Sequence, residues 1–307
     1  MTIGVLVMAY GTPATPADIE PYYTHIRRGR PPTPELLAEL TARYEAIGGI
    51  SPLAQRTAAQ VAAITRRLDD AHPGRFTVAL GQKHAAPFVE DGVAELVARG
   101  VTAIVGVVLA PHYSGFSVGQ YHGRARDAAT EAGIAFAGVD QWFDLPAYVA
   151  QQSASLREVL AGLPERTKVV FTAHSLPERV LADDPYPDQL AAGAGLIAAA
   201  AGLGAWADWG IGWQSAGRTP EPWRGPDVLE IIADLAETGK SDGIAVVPHG
   251  FTSDHLEVVY DLDIEASAAA SKVGLAFGRT QVVNADPAVM DELADRVADA
   301  ATTLANP

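Results

Sequence analysis

The chain alternates between short runs that are apolar almost throughout and longer stretches in which apolar residues recur every three or four positions. Runs of the first kind, at Ile3–Ala9, Phe76–Gly81, Ala103–Leu109, Ile134–Val139, Lys168–Thr172, Trp206–Trp213, Gly243–Val247 and Leu275–Gly278, predict buried strands. The stretches at Pro16–Arg28, Pro34–Ile47, Gln55–His72, Phe88–Ala98, Val118–Ala132, Leu145–Leu163, Pro187–Leu203, Pro226–Thr238, Asp254–Lys272 and Pro287–Ala305 predict helices. Strands and helices in alternation imply parallel sheets covered by helices. The expected fold is α/β, with two doubly wound Rossmann-like halves, each a four-stranded parallel sheet flanked by helices, and an active-site cleft between them. An N-terminal domain is expected over 1–145 and a C-terminal domain over 146–285, with a terminal helix over 286–307 packing back on the first.

Composition narrows the function. The chain has 307 residues, 48% of them hydrophobic, which is ample for well-packed cores. A net charge of −15 argues against nucleic acid or anionic membranes as partners, because basic surface recruits both. The absence of cysteine excludes disulfides, thiolate metal sites, cysteine nucleophiles and iron–sulfur clusters. No apolar stretch approaches the ~20 residues that cross a bilayer. The opening MTIGVLVMAYGTP has no basic residue ahead of its apolar run, so it reads as a strand, and the protein is expected in the cytoplasm. No glycine-rich nucleotide signature follows any strand.

In open α/β sheets ligands bind beyond the carboxyl ends of the strands. Those positions hold Tyr10, His84, His112-Tyr113-Ser114, His174-Ser175, Trp213-Gln214 and His249. One such histidine is more often a packing residue, whereas several at one edge favour a site; His25, His72 and His122 read as structural. A second cluster runs from Tyr22 to Arg30, joined by Arg43 and Gly48-Gly49-Ile50-Ser51-Pro52. Its arginines either complement helix C-termini or clamp carboxylates while the aromatics stack on a flat ring.

A third feature is an acidic stripe, Glu257, Asp261 and Glu265, stepping by four residues. Like charges at this spacing cost a helix ~0.2–0.5 kcal/mol per pair. The bland reading is a solvated face, with Asp254 as N-cap and Glu257 in the first turn. Four α-helical residues advance ~400°, so two steps drift the stripe by ~80°. A π-type widening near Glu257–Asp261 would keep the three groups on one channel; without it Glu265 turns towards the surface. A flat, multiply carboxylated ligand such as a porphyrin satisfies all three clusters.

The motifs MAYGTP (Met8–Pro13), YYTHIRR (Tyr22–Arg28), IGGISPL (Ile47–Leu53), LAPHYS (Leu109–Ser114), AHSLPE (Ala173–Glu178), GWQS (Gly212–Ser215) with Gly225-Pro226-Asp227, and DHLEVVYD (Asp254–Asp261) run in one order along nearly the whole chain. Together they resemble the ferrochelatase family, in particular its soluble Gram-positive and actinobacterial branch, which acts on coproporphyrin III. The resemblance implies a chelatase-like fold and a lyase of haem biosynthesis that inserts Fe²⁺ into a porphyrin, most closely coproporphyrin III to coprohaem. It implies that His174 and Glu257 face each other and accept two pyrrole protons, chemistry that suits an imidazole beside a carboxylate. Asp261 and Glu265 are implied to lead away from that pair and, with His174 and Glu257, to bind metal. Tyr10 is implied on the opposite face of the macrocycle. Arg27, Arg43 and Ser51, and with them Tyr23, His84 and Tyr121, are implied to hold propionates or line the cleft.

Iron is then a substrate and no cofactor is required; the iron–sulfur cluster of some relatives is ruled out by the missing cysteines. Where animal relatives carry an apolar membrane lip, Ala14-Thr15-Pro16-Ala17-Asp18 is short and not strongly hydrophobic, so no stable membrane association is expected. The expected partners are the porphyrin and Fe²⁺, with the chain a monomer in transient contact with neighbouring haem-pathway enzymes. Two alternatives stay open: a chelatase for protoporphyrin IX or another tetrapyrrole, and a non-catalytic porphyrin- or haem-binding protein.

Overall fold

A computed structural model describes residues 2–204 and 209–304. The beginning of the strand expected over Trp206–Trp213 and the end of the helix expected over Pro287–Ala305 lie outside the described residues.

Two compact units emerge, one within Met1–Ala110, Phe116–Trp142 and Asn284–Pro307, the other within Pro111–Gly115 and Phe143–Val283. The first contains β1 (Ile3–Ala9), α1 (Ile19–Ile26), α2 (Pro34–Ala46), α3 (Leu53–Ala71), β2 (Phe76–Gln82), α4 (Val89–Ala98), β3 (Ala103–Val108), α5 (Val118–Glu131) and β4 (Ala135–Val139). The second contains α6 (Pro146–Ala161), β5 (Thr167–His174), α7 (Tyr186–Ala201), β6 (Trp209–Gln214), α8 (Val228–Thr238), β7 (Gly243–Val247), a helix in three parts and β8 (Ala276–Arg279). That helix begins as α9 (Leu256–Val258), widens to a π-helix over Val259–Ala266 and ends as α10 (Ser267–Lys272). The chain finishes with α11 (Pro287–Ala300).

Both sheets are four-stranded and wholly parallel, with the orders β2-β1-β3-β4 and β6-β5-β7-β8. The central strands β1, β3 and β7 are buried at every position, as strands covered on both faces must be. Each sheet has the same winding, so β1 and β5 are equivalent, and the strand order reverses beside each of them. That reversal is where α/β sheets take ligands.

Five residues expected in the first domain, Pro111–Gly115, belong to the second unit. The Tyr113 amide donates to Gln189 Oε1 at 2.7 Å, and Ser114 Oγ and the Gly115 amide donate to Asp184 Oδ2 at 3.0 and 2.7 Å. His112 is buried there, stacked on Phe143 and edge-on to His249.

The helix after β7 starts later than the acidic motif suggests. His255 is its N-cap, and Asp254 instead pairs with Arg279 at 3.2 Å. Its widening has a packing cause. Val258, Leu262, Ala266 and Ala270 are all fully buried and recur every four residues, the last three against Val170, Ile244, Val246 and Ile232. In an α-helix of 3.6 residues per turn that stripe would wind off the core by ~40° per step. Wider i→i+5 turns keep it in place.

In the first unit α11 packs on α3, and its Val289, Met290, Leu293 and Val297 are buried. Arg67 makes two hydrogen bonds to Asp295, at 3.0 and 2.9 Å, but the pair is largely exposed and such pairs contribute ~1 kcal/mol or less. Leu293→Ala is therefore expected to destabilise the fold by about 2–5 kcal/mol. Arg67→Met should change stability by no more than ~1 kcal/mol in the same denaturant titration.

Candidate active site

His174 is the last residue of β5. Its Nδ1 lies 2.5 Å from the Ser175 carbonyl oxygen. A carbonyl only accepts, so Nδ1 carries the proton and Nε2 is left as a base. Nε2 is 3.8 Å from Glu257 Oε2. His255 repeats the arrangement: Nδ1 lies 3.0 Å from the Ser253 carbonyl oxygen, and Nε2 is 3.5 Å from the same Glu257 oxygen. Glu257 thus sits beside two imidazoles whose basic nitrogens both face it. Behind them Tyr186 is buried; burial first, then Asp184 and Glu257, raise its phenol pKa, so it stays protonated.

The backbone around this group is tightly specified. Gly250 donates from its amide to Thr172 O at 3.1 Å, and a Cβ on it would lie 2.5 Å from Ala173 Cβ. Only glycine lets the loop after β7 approach the end of β5 this closely. Along the π-helix Glu257 is half-buried, Asp261 is 5% exposed and accepts a hydrogen bond from Ser215 Oγ, and Glu265 is exposed. The widening is present, yet the third carboxylate still stands at the surface, so the stripe runs from interior to solvent. Among the described residues no three His, Asp or Glu side chains converge into a ready-made metal shell. Imidazole and carboxylate nevertheless suit Fe²⁺ as ligands.

The first unit places Tyr10 directly after β1, the strand equivalent to β5. Its ring is 43% exposed and leans on His84 at 4.7 Å between centroids. The His84 amide donates to the Tyr10 carbonyl at 2.9 Å, and Gly11, at φ 89°, admits no Cβ because Ala85 lies 2.8 Å away. His25 joins this group, with Nδ1 3.0 Å from His84 Nδ1 and its ring stacked on Phe88. Burial first, then Lys83, His25 and Arg124, push His84 down to about 3, so it is neutral. Lys83 is pushed down to about 8 by burial, Arg124 and Arg28, and its Nζ stands 5.1 Å over the Tyr121 ring. Tyr121 is buried, and burial followed by Tyr10 raises its phenol pKa.

Arg27 stacks on Tyr23 at 5.6 Å, both half-buried. Arg43 lies in the last turn of α2. Ser51 is buried and accepts from the Leu53 amide at 3.2 Å, tying it to the start of α3.

Three neighbours of these groups, His255, Ser215 and Lys83, are not singled out by the sequence, and a fourth, His25, reads there as structural. His255 precedes Glu257 by two residues inside an already suspicious motif, a legible signal. The other three depend on partners 46, 38 and 59 residues away, at Asp261, Tyr121 and His84. Conversely, His112 and His249 follow strands as expected but turn inward, 2% and 0% exposed, into an aromatic cluster with Phe143 and Phe171.

Two four-stranded parallel sheets of the same winding, with an imidazole and a carboxylate at one strand end, make this a doubly wound α/β protein. The described fold resembles SirB from Bacillus subtilis with Fe³⁺ (TM-score 0.60, 12% identity, 99% of this chain and 97% of that one) and CbiX, the terminal enzyme of sirohaem biosynthesis in denitrifying bacteria (TM-score 0.55, 15% identity, 96% and 98%). A family model described as Ferrochelatase matches residues 2–301. Coproporphyrin III ferrochelatases of Bacillus subtilis strain 168 and Bacillus pumilus strain SAFR-032 are 46% and 45% identical over 299 residues, covering 95% of this chain and 96% and 95% of theirs. The chain belongs to the ferrochelatase family, lyases that insert metal into porphyrin.

Lys83 is one of four lysines. With dimethylated lysines followed by NMR, one resonance is expected to titrate near pH 8 and to be missing from Lys83→Met. Between about 8 and the ordinary 10.5 the unfolded chain holds a proton that the folded chain has released, so stability from this group should rise with pH across that window.

Proposed function

We propose that this enzyme inserts Fe²⁺ into coproporphyrin III to give coprohaem, acting as a monomer in the cytoplasm with iron as substrate and no resident cofactor. The observation that carries the mechanism is Glu257 flanked by the Nε2 atoms of His174 and His255, at 3.8 and 3.5 Å. Metal insertion releases two pyrrole protons. Two imidazole nitrogens, each with its other nitrogen committed to a backbone carbonyl, can take them, and the Glu257 carboxylate stabilises the imidazolium that forms. Asp261 and Glu265 then offer acidic stations towards solvent, usable by protons leaving or by the Fe²⁺ entering.

The substrate choice rests on charge as well as on the names of the relatives. A porphyrin with four propionates is repelled by a chain of net charge −15 unless cations meet it locally. Arg27 and Arg43 are the proposed clamps, Tyr23 and Ser51 line the site beside them, and Tyr121 backs Tyr10, which meets the ring face. Among the described residues no helix is long and apolar enough to cross a membrane, in keeping with a water-soluble substrate.

Anaerobic mixing of enzyme, Fe²⁺ and coproporphyrin III is expected to give many turnovers of the porphyrin-to-haem absorbance change, faster than with protoporphyrin IX. A single stoichiometric change would mark a binding protein instead. His174→Ala and Glu257→Gln should each lower kcat by ~10²-fold or more while porphyrin affinity, read by fluorescence quenching, stays within a few-fold.

A further inference from the structure

Ser215, the residue after β6, is one of three non-glycine residues with positive φ among the described residues, at 60°. A residue with a Cβ adopts this region rarely, and usually where its surroundings impose it. Its Oγ donates to Asp261 Oδ2 at 2.5 Å, and Asp261 is 5% exposed. The preceding residue grips the same helix: Gln214 Nε2 donates to the Glu257 carbonyl at 3.2 Å. Two successive residues of one strand end therefore hold two acidic positions one turn apart, one through its main chain and the other through its carboxylate. Both lie where the helix passes from its first α-turn into the π-helix over Val259–Ala266.

We propose that Ser215 is a positioning residue for metal insertion: its hydroxyl fixes Asp261 in its buried place and thereby holds the helix register that faces Glu257 towards His174 and His255. The inference rests on the insertion reading above. A buried carboxylate must keep hydrogen-bond donors or move to water. Without the hydroxyl Asp261 loses one short donor, and any shift of the helix that gives the carboxylate more water carries Glu257 with it because the two share one face. The apolar stripe lies only about a quarter turn further round that helix and holds it to the sheet, and the hydroxyl adds a hold on the acidic stripe beside it. Ser215 touches neither reacting atom and acts through Asp261.

Ser215→Gly retains the left-handed backbone without strain and removes only the hydroxyl; Ser215→Ala removes the hydroxyl at unchanged backbone cost. Both are expected to lower kcat by ~10–100-fold, as loss of a residue that orients a ligand does, with the KM for porphyrin unchanged and the pH profile of kcat displaced. Amide hydrogen exchange across Val259–Ala266 should accelerate in both. Wild-type kcat, pH profile and exchange in Ser215→Gly would overturn the proposal, as would a defect confined to either variant, since both lack the hydroxyl. If wild type fails to insert iron, the proposed function falls, while the exchange measurement still reads whether Ser215 holds the helix.

Discussion

A stripe of buried side chains repeating every four residues, Val258, Leu262, Ala266 and Ala270, sets the pitch of the helix that follows β7. Leu262, Ala266 and Ala270 pack on strands β5 and β7 and helix α8, and a helix of ordinary pitch cannot keep them there. The π-helix over Val259–Ala266 is the solution, and it has a second consequence. The acids at Glu257, Asp261 and Glu265 share the same repeat, so the widening that holds the apolar face to the sheet also holds the acidic face in line. Core packing thus supplies an alignment that charge repulsion alone would oppose.

The identical winding of the two sheets places Tyr10 and His174 at equivalent strand ends, each beside the point where strand order reverses. Each is held by close backbone contact that depends on glycine: Gly11 against Ala85, and Gly250 against Ala173. The chemistry at the two ends differs because the neighbours differ. At β5 a carboxylate faces two basic imidazole nitrogens, a group that can accept and pass protons. At β1 burial and cations keep His84 neutral, leaving a phenol and a set of rings that present a flat, weakly polar face.

In an acidic chain the positive groups are few, and their placement matters more than their number. Arg124 illustrates the economy: it forms an ion pair with Glu90 and donates to the Lys83 carbonyl, helping to depress both Lys83 and His84. Arg279 does similar work in the second unit, where Asp263 and Asp254 bind it and so anchor the start of the functional helix to β8.

Hydrophobic periodicity by itself determined the alternation of strands and helices, because strands buried on both faces must be apolar at nearly every position. Motif order determined the family, and strand-end position picked out His174 and Tyr10. Four-residue spacing of the acids carried the π-helix as a conditional expectation, and the burial of the apolar repeat beside them showed its packing cause. Only the tertiary structure decided which strand-end histidines face outward: His112 and His249 occupy the same kind of position as His174, but aromatic neighbours from distant segments enclose them. It also assigned Pro111–Gly115 to the second unit, through hydrogen bonds to Asp184 and Gln189. Ser215 as the donor to Asp261 was beyond sequence reach for the same reason: hydrogen-bond partners are set by where strand ends meet helices in space, which local pattern does not encode.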